Sequence, residues 1–137
     1  MEPATQSQLE WRNITPDGAG RADEGVCSLL LLNPATFWFG ADSLKELRVR
    51  ILILTGENDQ IAPPAHAQTV IDGVSNPGSV RHQMIPGAGH FSFMSKFPSQ
   101  LVRPEFPPSQ DPPGFDREEF QPALFACAGD FFKLALR

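Results

Sequence analysis

The chain has 137 residues, 41% of them hydrophobic and 20% charged, which is enough for one domain around one core. The formal charge is −5, and the 11 basic residues are scattered along the sequence, so a stripe able to neutralise nucleic-acid phosphates is excluded. The opening MEPATQSQLEWRN has neither a basic start nor an apolar stretch, and no apolar run, Leu29 to Leu32 among them, is long enough to span a bilayer. The expectation is therefore a protein with no membrane segment and no signal peptide, cytoplasmic by default.

Residues 1–24 are polar, with Pro16, Gly18 and Gly20 close together and no periodicity, and read as a tail or connector preceding a domain over residues 25–137. VCSLLLLN, residues 26–33, is a continuous apolar run closed by Asn33-Pro34, the pattern of a strand buried on both faces. Ser43-Leu-Lys-Glu46 has the spacing of a capping box and predicts a short helix. VRILILT, residues 49–55, is β-branched and apolar up to Gly56 and predicts a second buried strand.

After Pro63-Pro64, apolar residues at Ala67, Val70, Ile71 and Val74 follow helical spacing, and Asn76-Pro77-Gly78 ends that helix. Residues 79–85 alternate, with Val80, His82 and Met84 on one side, and predict a third strand ending at Pro86. Residues 97–115, rich in Pro, Ser and Phe, predict a long surface excursion. Asp116-Arg-Glu-Glu119 then offers a helix start, and Phe120, Leu124, Cys127, Ala128, Phe131 and Ala135 form one stripe, with Pro122 kinking or delaying the first turn.

Strands alternating with helices predict a parallel α/β sheet of about three strands, with crossover helices and a C-terminal helix. In such sheets chemistry collects at the carboxyl ends of strands. TGENDQIAPP (55–64) and PGAGHFSF (86–93) follow the second and third strands directly, so Asp59 and His90 come together although they are distant in sequence. A carboxylate beside an imidazole fixes the tautomer and stabilises the imidazolium formed when the ring takes a proton. Gly87 and Gly89 let that loop turn tightly. The plainer reading of Asp59 is a turn residue bonding its own backbone.

ILILTGENDQIAPP together with VRHQMIPGAGHFSFM, PPGFDREEF and the terminal helix resembles the C-terminal half of α/β-hydrolases of the dienelactone hydrolase type, from about residue 26 onward. The resemblance implies a partial α/β-hydrolase fold with Asp59 as triad acid, His90 as triad base and a small ester or lactone as substrate. It also implies a serine in a G-x-S-x-G elbow upstream of the first strand. No serine of this sequence has that context, and Ser92, two positions after His90, comes nearest. Family members often carry a cysteine pair in the loop after the histidine, where this chain has Phe97 and Pro98.

Two functional readings follow: a hydrolase whose nucleophile comes from elsewhere, or a non-catalytic module used in binding or assembly. The elbow strand would pair beside VCSLLLL. Without it the sheet edge is a template for self-association or for a partner chain. No cofactor is expected, nor a metal, because His66, His82 and His90 are spread and Cys27 and Cys127 lack ligand spacing. His82 reads as structural and His66 as solvated. The cysteines read as small core residues, with a disulfide left open. Phe37, Trp38, Phe39, Phe91 and Phe93 read as core packing in preference to an acyl pocket.

Overall fold

The computed structural model describes residues 25–40 and 42–135, so the connector expected over residues 1–24 lies outside the described residues. Three strands, β1 (Ser28–Leu32), β2 (Arg50–Gly56) and β3 (Val80–Ile85), form one sheet in the order β1-β2-β3, every pair parallel. Helix α1 (Ala65–Gly73) joins β2 to β3, and helix α2 (Arg117–Ala135) ends the described chain. This is the partial α/β fold that the alternation of strand and helix patterns predicts.

β2 organises both faces of the sheet because it is the strand with a neighbour on each side. Successive side chains of a strand point to opposite faces. Ile51 and Ile53 therefore join Ala67, Val70 and Val74 in one buried cluster, with Leu29, Leu31 and Val80 packed against it. Leu52 and Leu54 pack on the other face with Leu124 of α2, bordered by Leu30, Phe93, Phe120, Cys127 and Phe131. Each fully buried aliphatic side chain contributes about 1.5–3 kcal/mol from removal of apolar surface from water.

The outer strands differ from the expectation. β1 is only partly buried, and Leu32 is exposed, because no described strand covers its outer side. The predicted helix at Ser43 is a run of turns. Its Ser43 hydroxyl accepts from the preceding Gly40 N–H at 2.9 Å, the reverse of an N-cap. The Lys45 carbonyl, which a helix would spend on Val49, accepts instead from Arg48 Nη1 at 2.6 Å and from the Ser75 hydroxyl. Leu44 and Leu47 still reach the core from these turns.

α2 starts where its capping residues predict. Asp116 Oδ1 accepts from the Glu118 and Glu119 amides at 2.8 and 3.1 Å. Pro122 lies inside the helix and does not delay it. The excursion before α2 is pinned by Arg117, which is buried. Its guanidinium donates to Asp111 Oδ1 at 2.7 Å and to the carbonyls of Pro108 and Gln110 at 2.9 and 2.8 Å. A buried charge needs such complete pairing.

Both cysteines are free, and Cys27 is exposed, contrary to the core reading, because it precedes β1 and has no layer above it. Phe37, Trp38 and Phe39 are also exposed, at 62%, 81% and 46%. They occupy the loop after β1 and stay mostly open to solvent, so the core assignment for these three is corrected. No helix among the described residues is long and apolar enough to cross a membrane.

His82 lies beside Thr55 across the β2–β3 ladder, its Nε2 2.8 Å from the Thr55 hydroxyl. Desolvation lowers its pKa from the ordinary 6.5. Above 6.5 both folded and unfolded chains hold the ring neutral. As the pH falls through 6.5 the unfolded chain takes the proton first, and stability drops until the folded ring also protonates. His82→Gln, which keeps a partner for Thr55, is expected to flatten this part of the stability–pH curve measured by urea unfolding. An unchanged slope would remove His82 as a cause. Ile53→Ala is expected to lower the unfolding free energy by about 2–5 kcal/mol, and Leu32→Ala by less than about 1 kcal/mol.

Candidate active site

The loops after β2 and β3 are stitched together before any functional side chain is considered. Glu57 N–H donates to the Ile85 carbonyl at 3.1 Å and Asn58 N–H to the Ala88 carbonyl at 2.8 Å. In return, Gly87 N–H donates to Glu57 Oε2 at 2.9 Å, and Asn58 Nδ2 donates to the Gly87 carbonyl at 3.3 Å. The approach is close enough to require Gly56: a Cβ there would sit 2.5 Å from the Ala88 carbonyl oxygen. Gly87, at φ +71°, makes the turn out of β3.

On this double loop Asp59 and His90 meet. Asp59 Oδ2 lies 2.8 Å from His90 Nδ1, and the carboxylate side chain is fully buried while the imidazole keeps about a quarter of its surface exposed. Asp59 Oδ1 accepts from the Ile61 and Ala62 amides, each at 2.8 Å. The turn reading of Asp59 is realised by Oδ1, while Oδ2 meets the ring. The amides fix the carboxylate in the turn, and its second oxygen is left to the ring. A carboxylate only accepts, so Nδ1 carries the proton and the lone pair of the neutral ring is on Nε2.

No hydrogen-bond partner of Nε2 exists among the described residues. The ring stands edge-to-face with Phe91, their centroids 5.0 Å apart, and borders a cleft of about 230 Å³ walled by Pro104, Pro107, Gln110, Asp111 and Pro112. The Pro-rich excursion held by Arg117 is what supplies this wall.

Asn33 was legible only as the end of a strand, and it is the residue that ties the site to the sheet. It is buried with φ +46°, a conformation Asn adopts more readily than most residues. Its Nδ2 donates to the carbonyls of Gly89 and His90 at 3.0 and 2.9 Å, and its Oδ1 accepts from Gly56 N–H at 2.7 Å. Its own N–H donates to the Leu54 carbonyl at 2.9 Å.

Ser92 is buried, at 1% exposure, and its hydroxyl accepts from Gly89 N–H at 2.9 Å, so it braces the loop. His66 is not merely solvated. Its Nδ1 accepts from Thr36 N–H at 3.1 Å and lies 2.7 Å from the Thr36 hydroxyl, with Phe37 against the ring at 4.3 Å. It ties the loop after β1 to α1, away from Asp59. Among the described residues no three His, Cys, Asp or Glu side chains are grouped to hold a metal ion.

Asn33→Ala is expected to cost about 3 kcal/mol or more in urea unfolding, because it orphans buried carbonyl and amide groups. Asn33→Gly is expected to cost less than Asn33→Ala, since glycine accepts the positive φ. Equal losses would show that the backbone conformation is not part of the constraint.

No protein-family model matches this sequence, and no curated protein matches it. A solved structure of an alpha-beta serine hydrolase homologue from Coxiella burnetii is similar at 26% identity with a TM-score of 0.41, over 50% of this chain and 32% of that one. The similarity thus spans about a third of that protein's length.

Proposed function

We propose that Asp59 and His90 are the acid and base of an ester- or lactone-cleaving site, completed by a hydroxyl nucleophile from another stretch of polypeptide. The observation that carries this reading is the 2.8 Å contact from Asp59 Oδ2 to His90 Nδ1, in a ring that lines the cleft. His90 Nε2 takes the proton as the hydroxyl attacks the carbonyl carbon and returns it to the departing alkoxide. The Asp59 carboxylate stabilises the imidazolium between those two steps. The resemblance to dienelactone-type hydrolases sets the expected substrate as a small ester or lactone, in keeping with a cleft of about 230 Å³. The outer side of β1, which no described strand covers, is where the nucleophile-bearing strand pairs, whether from a partner or from a longer polypeptide.

The engaged and buried hydroxyl of Ser92 favours a second reading for the chain acting by itself, a non-catalytic module retained for binding or assembly. Two measurements separate the readings. A fluorophosphonate probe is expected to leave every serine unlabelled, and stoichiometric labelling at Ser92 would overturn the external nucleophile. Titration with a small lactone, followed by NMR, is expected to shift the ring resonances of His90 and Phe91 and the Gln110 side chain, and to leave those of His66 in place. The His90→Gln variant should lose the response at Phe91 and Gln110. A chain silent to esters and lactones at these residues is the non-catalytic module.

A further inference from the structure

At the amino ends of the strands, the end of the sheet opposite His90, lies a cavity of about 450 Å³; a second of about 410 Å³ adjoins it along β3 and α2, shares Arg81, Phe131 and Leu134 with it, and is also lined by Asp130. The larger is the size of an ordinary small-ligand site, about 300–1,000 Å³. Arg48, Arg50 and Arg81 line it, and no acidic residue does. In a chain of net charge −5 that is a local reversal of sign.

The ladder explains how two of these arginines converge. Arg81 stands opposite Leu52, and Arg50 precedes Leu52 by two residues, so both project from the face on which α2 packs. Neither is neutralised there. Arg50 Nη1 donates to the Leu134 carbonyl at 3.3 Å, and Arg81 has no ion pair or side-chain hydrogen bond among the described residues. Arg48 has one carboxylate near it, Glu46 at 3.8 Å, and that pair is largely exposed. Guanidinium groups recognise oxyanions through paired N–H donors, and an anion between them relieves their mutual repulsion. The remaining wall combines the apolar Val49, Ile51, Phe131 and Leu134 with Asn76, Gly78 and Ser79.

We propose that this cavity binds an oxyanion with a short hydrocarbon body, an aliphatic carboxylate or an alkyl phosphate. Arg50 and Arg81 hold the head group, and Phe131 and Leu134 cover the chain. The site is independent of the roles assigned to Asp59 and His90.

The test is a calorimetric and NMR titration of the chain with octanoate, octyl phosphate, n-octanol and inorganic phosphate. At least one of the two amphiphilic anions is expected to bind saturably and to shift the amide resonances of Arg81, Phe131 and Leu134. The tighter of the two identifies the head group as carboxylate or phosphate. Octanol, lacking the charge, and inorganic phosphate, lacking the chain, are each expected to bind at least about tenfold more weakly. Arg81→Gln is expected to weaken the anion by about tenfold without changing the melting temperature, because the side chain has no partner to lose. Arg81→Lys should recover part of that loss. Octanol or inorganic phosphate binding as tightly as the amphiphiles, wild-type affinity in Arg81→Gln, or no saturable binding of either anion would overturn the proposal.

Discussion

The carboxamide of Asn33 bonds at once to the end of β2 and to the loop after β3, and the geometry of the candidate site depends on this arrangement. One side chain gives its oxygen to Gly56 N–H and its nitrogen to the carbonyls of Gly89 and His90. The three strands end at different points in sequence, and this amide brings their exits to a common centre. The Gly56 amide and Gly89 carbonyl it satisfies are buried, so each would be costly to leave unpaired. With the backbone of His90 fixed in this way and Asp59 fixed by the Ile61 and Ala62 amides, the 2.8 Å contact between the two side chains needs little further ordering.

The excursion between β3 and α2 depends on a second buried polar centre. Arg117 spends its guanidinium on Asp111 and on the carbonyls of Pro108 and Gln110, which converts an aperiodic, proline-rich stretch into a wall beside His90. The two centres are complementary. Asn33 fixes the backbone of His90, and Arg117 holds the wall of the cleft that His90 lines. Each nitrogen and oxygen of the two groups has a partner, in line with the requirement that buried polar networks be satisfied.

Much of the fold was legible because its signals are local. VRILILT reads as a buried strand from its own composition, and Ala67, Val70, Ile71 and Val74 read as a helix face from their spacing. The stripe of α2 was likewise readable, and Leu124, Phe120, Cys127 and Phe131 do meet the sheet. The Ser43 capping pattern misled because a short pattern carries little weight against tertiary competition, and here Arg48 and Ser75 claim the carbonyl that a helix required. The Phe37-Trp38-Phe39 cluster misled for a related reason. Hydrophobicity favours burial, yet whether anything lies over a given loop is decided by distant segments.

The sequence by itself determined the parallel alternation of strands and helices and the candidacy of Asp59 and His90. These follow from periodicity, from turn chemistry and from the rule that loops at strand carboxyl ends carry chemistry. Only the tertiary structure decided that Asp59 divides its two oxygens between backbone and imidazole, that Ser92 is a buried brace, and that Asn33 and Arg117 hold the site together. Each of these depends on hydrogen bonds between segments far apart in the chain. A donor or acceptor that could pair with many groups is assigned to one of them only when the fold brings the two into contact.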